Sequence, residues 1–141
     1  MAAINPYINF NGNCEAAFNL YKSVFGNDFI TFSRFKDMPS ENQQTDEAEK
    51  ILHVALPIGE GTILMGSDCP AAYGAMKFGD NISISINTHS EEEANKIFHA
   101  LAEGGKVTMP LDKTFWGAYF GMLTDAFGIN WMVNYDYQEA K

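Results

Sequence analysis

Residues 4–26, INPYINFNGNCEAAFNLYKSVFG, read as a short strand running into an amphipathic helix. Residues 81–105, NISISINTHSEEEANKIFHALAEGG, read the same way. In the first stretch residues 4–10 form the strand, and Asn13 stands where a helix N-cap would. Cys14, Ala17, Phe18, Tyr21, Val24 and Phe25 recur at helical spacing and put one apolar stripe on one face. Gly26 supplies a left-handed stop. In the second stretch Ile82, Ile84 and Ile86 alternate with Asn81, Ser83 and Ser85, the pattern of a half-buried strand. Ser90 and Glu93 make a capping box. Ala94, Ile97, Phe98 and Leu101 form the stripe, and Gly104-Gly105 ends the helix.

Strands follow each helix. Residues 28–36 alternate and are rich in Phe, Ile and Thr, which suit a pleated surface. ILHVALPI (51–58) and TILMGSD (62–68) are joined through Gly59-Glu60-Gly61, a hairpin signal. After the second helix, residues 107–110, 115–123 and 129–135 supply three more strands. The chain thus reads twice as strand–helix–strand–strand–strand. Tyr21 and Phe98, and Val24 and Leu101, are each 77 residues apart (98 − 21, 101 − 24). Asn5 and Asn81 are 76 apart (81 − 5), and Met65 and Met132 are 67 apart (132 − 65), which fits a longer loop in the first half. The pattern predicts a single α+β domain over 1–141. Module one covers about 1–69, a linker about 70–79, and module two 80–141. The polar, acidic residues 37–49 read as the longest loop and the mobile segment.

A chain of 141 residues with 46% hydrophobic content can bury a core and is globular, not disordered. Its net charge of −9 excludes nucleic acid as a partner, because phosphate binding needs a basic face. It also disfavours anionic membrane surfaces, and no apolar run reaches spanning length. The start, MAAINPY, has neither the basic nor the apolar region of a signal peptide. Two cysteines, Cys14 and Cys69, make no disulfide framework and lack metal-finger spacing, so the expected compartment is the reducing cytoplasm.

Residues 51–68 carry a His on a strand followed by Gly-Glu-Gly in the turn. Residues 115–134, FWGAYFGMLTDAFGINWMVN, carry an aromatic-Trp-Gly start, then Asp125, Phe127, Gly128 and Trp131. With residues 4–26 they resemble the PhnB-like branch of the vicinal oxygen chelate superfamily. That superfamily includes glyoxalase I, bleomycin-resistance and fosfomycin-resistance proteins, and extradiol dioxygenases. The resemblance covers nearly the whole chain. It implies two βαβββ modules whose mixed sheets curl around a central trough, commonly in a homodimer. It also implies metal ligands on the first and last strand of each module, and these positions fall on Asn5, Met65, Asn81 and Met132. Thioether and amide groups are poor ligands for hard or borderline ions. A slip of two residues meets only Tyr7, Ser67, Ser83 and Asn134. No metal site and no cofactor are therefore expected. Some members of the branch are described as demethylubiquinone methyltransferases. A methyl-donor site of the common kind needs a glycine-rich turn between a strand and a helix. Here Gly59-Glu60-Gly61 lies between two strands and Gly104-Gly105 follows a helix.

Strand alternation sorts the faces without the resemblance. Ile8 and Phe10 oppose Tyr7 and Asn9. Trp131 and Val133 oppose Met132 and Asn134. Leu52, Val54 and Leu56 oppose Ile51, His53 and Ala55. The first set of each packs under a helix and the second faces the trough; an ordinary sheet with one wet face gives the same alternation. His53 is the candidate catalytic residue, since a neutral imidazole can act as a general base or hydrogen-bond a ligand carbonyl. The competing reading is a buried His satisfied by its neighbours. Asn5, Tyr7, Ser67, Ser83, Trp116, Met132 and Asn134 are the expected ligand lining. Trp116, Tyr119 and Phe120 could stack on a flat ligand, although aromatics at strand spacing are usually core. Asp68 reads as a turn residue, Cys69 as an inert apolar side chain, Asp125 as the anchor of the turn before Phe127-Gly128, and His89 and His99 as solvated.

Three functions remain open on the sequence, which does not decide between catalysis and binding. One is a metal-independent small-molecule binding protein or enzyme with His53 at its centre. Another is non-catalytic sequestration of the bleomycin-resistance kind, to which an acidic surface suits cationic drugs. The third is a metal-dependent lyase or dioxygenase with displaced ligands, for which His53, Asp68 and Glu60 are the only nearby groups.

Overall fold

The computed structural model describes residues 2–37, 47–59 and 61–137. Most of the acidic loop and Glu60 lie outside the described residues. The chain forms two compact units, Met1–Lys77 and Phe78–Lys141. The first contains β1 (Tyr7–Phe10), α1 (Cys14–Phe25), β2 (Thr31–Arg34), β3 (Ile51–Ile58) and β4 (Thr62–Asp68). The second contains β5 (Ile84–Thr88), α2 (Glu91–Ala102), β6 (Lys106–Lys113), β7 (Ala118–Thr124) and β8 (Asn130–Asp136). Each sheet has four strands, in the orders β1-β4-β3-β2 and β5-β8-β7-β6. The first strand of each unit pairs parallel to the last, and the other pairs are antiparallel. This is the predicted α+β arrangement of two βαβββ modules.

One helix covers one face of each sheet. Cys14, Ala17, Phe18 and Tyr21 of α1 are buried with Phe10, Val54, Leu56 and Leu64. Ala94, Ile97, Phe98 and Leu101 of α2 are buried with Leu123, Trp131 and Val133. Each fully buried side chain of this size stabilises by about 1.5–3 kcal/mol before conformational entropy is counted. The helix rings press on strand glycines. A Cβ on Gly66 would lie 2.6 Å from the Phe18 ring, and one on Gly121 would lie 2.8 Å from the Phe98 ring.

The helix starts differ from one another and, in part, from expectation. Ser90 Oγ accepts from the Glu93 amide at 3.0 Å, and the Glu93 carboxylate accepts from His89 N–H at 2.7 Å. Asn13 makes no side-chain cap. The cap comes from across the sheet: Asp68 Oδ1 accepts from Gly12 N–H at 2.9 Å and Cys14 N–H at 3.0 Å, and Oδ2 from Ile51 N–H at 2.9 Å. Asp68 is 2% exposed, so it is a structural anchor and neither a simple turn residue nor a group open to a ligand. A buried carboxylate is tolerated there because backbone donors satisfy it.

Strand edges correct the sequence reading in several places. The strand expected at 28–36 is confined to β2, because Arg34 N–H turns to the Asp37 carboxylate at 2.8 Å. A register shift after Ser33 sets Ile51 opposite Arg34, whose guanidinium reaches Glu15 on α1. Ile51 is accordingly fully buried and leaves the face it was expected to share with His53. Ile82 precedes β5 and is 76% exposed, so it is not part of the helix-facing set. Residues 115–117 form the β6–β7 turn, not strand: Thr114 N–H donates to Ala118 O, and Ala118 N–H to Thr114 Oγ1.

The sheets also correct the register of the repeat. Tyr7 faces Met65 and Ser85 faces Met132, so the two methionines are equivalent. The first strands are then offset by 78 (85 − 7), and the counterpart of Asn5 is Ser83, not Asn81. The cause is a shorter strand-to-helix turn in the second unit, residues 89–90 against 11–13. A pattern of helix stripes cannot register that missing residue.

Among the described residues no helix is long and apolar enough to cross a membrane.

Candidate functional site

In the first unit β1, β3 and β4 put Tyr7, Asn9, His53, Ala55, Met65 and Ser67 on the face turned away from α1. Gly66, Val54 and Phe10 occupy the helix side. Tyr7 and His53 lie with ring centroids 5.7 Å apart at 20°, and Tyr7 Oη is 3.4 Å from His53 Nδ1. That separation is long for a hydrogen bond, so the phenol steadies the imidazole more by stacking than by bonding. Nε2 has no hydrogen-bond partner among the described residues. Tyr7 is 46% exposed and His53 is half-buried, so the pair is reachable from this face. Beside it Ser67 Oγ donates to Asn9 Oδ1 at 3.3 Å. Ala55 lies between Met65 and Thr31 in the same row and adds no bulk above the sheet.

In the second unit the face turned away from α2 carries two cross-strand rows. One is Ser85, Met132, Met122 and Met109; the other is Asn87, Asn134, Phe120 and Asp112. Asn134 Nδ2 donates to Asn87 Oδ1 at 3.3 Å, the counterpart of the Ser67–Asn9 contact. Phe120 occupies the place that His53 holds in the first unit. Trp116 stands at the hairpin tip, 57% exposed, with its ring centroid 6.2 Å from that of Phe120 in an edge-on arrangement.

The expected lining residues divide between the units. Tyr7, His53 and Ser67 come together in the first. Met132 and Asn134 come together in the second, with Trp116 beside Phe120 at their margin and Ser83 just before β5. Asn5 is used structurally, since its Oδ1 accepts from Ile63 N–H at 2.9 Å. Tyr119 turns to the helix side, where its hydroxyl donates to Asn95 Oδ1 at 2.8 Å. Asp125 fixes its turn by accepting from Phe127 and Ile129 N–H, and its second oxygen accepts from the Trp131 indole at 2.9 Å. Cys14 is sealed in the core, where burial pushes its thiol up and keeps it protonated. The sequence reading left Asn9, Asn87, Met109 and Met122 out of the lining. Alternation marks Asn9 and Met122, but only the register shows which partners they meet.

The family metal positions do not fit a hard or borderline ion. Asn5 spends its amide oxygen on the backbone, Asn81 is an exposed residue before β5, and Met65 and Met132 offer neutral thioethers. Of the groups named as displaced ligands, Asp68 is engaged by three backbone donors, and Glu60 is outside the described residues. Among the described residues no three His, Cys, Asp or Glu side chains gather.

Comparison with known proteins agrees with this architecture. The family model described as 3-demethylubiquinone-9 3-methyltransferase matches residues 2–134. Protein PA1353 from Pseudomonas aeruginosa is 44% identical, with a TM-score of 0.86 over 96% of this chain and 98% of that one. The PhnB protein from Bacillus cereus is 26% identical, with a TM-score of 0.77 over 95% and 99%. Protein YjdN from Escherichia coli K12 is 30% identical over 93% of both chains. The fold is also that of a protein from Burkholderia phytofirmans described as a glyoxalase/bleomycin resistance protein/dioxygenase family enzyme, with a TM-score of 0.64 at 18% identity over 92% of this chain and 95% of that one.

Proposed function

This chain belongs to the family described as 3-demethylubiquinone-9 3-methyltransferase, and we propose that within it the protein binds a small organic molecule without a metal ion. The observation that carries the reading is the Tyr7–His53 pair. A titratable ring with an available nitrogen sits on an accessible sheet face, steadied by a stacked phenol and flanked by hydroxyl and amide groups. Such a face suits a ligand with a carbonyl group. His53 would hydrogen-bond that oxygen or take a proton from the adjacent carbon, a reaction that needs no Lewis acid. On the second unit's own sheet face Met132, Asn134, Trp116 and Ser83 are further candidate ligand contacts, and the protein would act as a cytoplasmic homodimer.

Methyl transfer, which the family's description names, is not our reading. The strand-to-helix turns are residues 11–13, with one glycine, and 89–90, with none. A methyl-donor site of the common kind uses a glycine-rich turn at that place.

The test is native mass spectrometry of protein purified without denaturation, beside a His53→Ala variant. A compound retained by the wild type and lost from His53→Ala, with folding unchanged, supports the reading. Retention by both removes His53 from it. Tight binding without conversion would place the protein with sequestering relatives, and stoichiometric zinc, nickel or iron on elemental analysis would refute metal independence. Sedimentation equilibrium tests the dimer.

A further inference from the structure

Three of the chain's seven methionines stand in one row. Met109 on β6 faces Met122 on β7, and Met122 faces Met132 on β8. Direct cross-strand partners in a regular ladder share a face, with Cβ atoms about 5 Å apart, and Met109 is the β6 residue that stays paired between two register shifts. The row lies away from α2, because the neighbouring Gly121 position is the one that meets the Phe98 ring. Met109 is 46% exposed, and Met122 and Met132 are half-buried. In the first unit the same row reads Tyr7, Met65, Ala55, Thr31, so the shared fold does not require this run of thioethers.

We propose that Met109, Met122 and Met132 form a binding site for a soft monovalent cation of the Cu(I) or Ag(I) kind. Thioether sulfur is neutral and polarisable, and it selects soft ions over the hard or borderline ions discussed above. The reach is adequate. Each side chain is unbranched with three rotatable bonds, so the two flanking sulfurs can lean over the central strand toward the third. Charge is compensated nearby. Asp112 faces Phe120, which shares its side of β7 with Met122, so an exposed carboxylate lies one row away. The Phe120 ring adds a π face beside the ion. The site uses the second unit alone and is independent of His53.

The test is a titration of the full-length protein carrying ¹³C-methyl methionine with Ag(I), a redox-stable stand-in for Cu(I), in chloride-free buffer. Cys69→Ser is included so that the half-buried thiol does not take the ion. The methyl signals of Met109, Met122 and Met132 should move together and finish at one equivalent, while Met65 stays. Met122→Leu and Met132→Leu keep the side-chain volume and the fold, and each should weaken binding by roughly tenfold or more as one of three soft ligands is lost. His53→Ala should leave the titration unchanged. Signals that stay in place, that move no more than Met65, or that respond unchanged in Met122→Leu overturn the site.

Discussion

Val54 faces Gly66 in the first sheet, and Gly121 faces Val133 in the second. The two pairs occupy the same place in the two modules with their members exchanged. The exchange follows the helices. In the first unit Phe18 drops its ring onto the last strand, and in the second Phe98 drops its ring onto the strand beside it. By helix offset Phe98 matches Tyr21, not Phe18. Packing under the helix therefore conserves volume and not position, which is why a clear structural repeat carries so little sequence identity. The opposite faces diverge in chemistry. Tyr7, Ala55 and His53 in the first unit correspond to Ser85, Met122 and Phe120 in the second. One face sets an imidazole beside a phenol, and the other sets thioethers and an aromatic ring among polar side chains.

The largest expected effects come from the two buried aspartates. Asp68→Ala strips an acceptor from three backbone N–H groups and should cost about 4 kcal/mol by urea denaturation. Asp125→Ala, which frees two amides and an indole in a less buried turn, should cost about 3 kcal/mol. Equal, near-zero losses would show that neither module depends on its anchor. Next come the exchanged pairs. Gly66→Val should overpack against Phe18 and the Ile8 carbonyl, at a cost of about 1–3 kcal/mol. Adding Val54→Gly should not restore stability, because the Phe18 ring still needs the space over β4. A full rescue would mean that volume alone decides.

His53→Phe gives the first face the ring of the second. Stability should change by less than about 1 kcal/mol at this half-buried site, while retention of any compound that co-purifies with the wild type falls as in His53→Ala. Retained binding would show that stacking on Tyr7, not the imidazole, holds the ligand. The smallest effect is expected at Arg34–Glu15. Its bidentate hydrogen bonds, at 2.8 and 2.9 Å, hold the Glu15 carboxyl below its ordinary range. A lowered carboxyl contributes stability above its unfolded pKa, and that contribution is lost as pH falls through the folded value. Wild type should thus lose slightly more stability than Arg34→Ala on acidification below the usual Glu range. The difference stays small because the pair is partly exposed. Parallel pH curves for the two proteins would remove the pair from the account.

Helix stripes at 3.6-residue spacing and strands at two-residue spacing made the doubled βαβββ pattern readable from residues alone. So did Gly26 as a helix stop, the Ser90–Glu93 cap and the side of β3 on which His53 lies. These are local: each depends on a few neighbours along the chain and on the periodicity of the backbone. The burial of Asp68, the shift that takes Ile51 from the His53 face, the Ser83 counterpart of Asn5, and the row through Met109, Met122 and Met132 depended on tertiary structure. Each is set by which residue stands across the sheet. A bulge or a turn one residue shorter changes that partner without leaving a mark in hydrophobic periodicity.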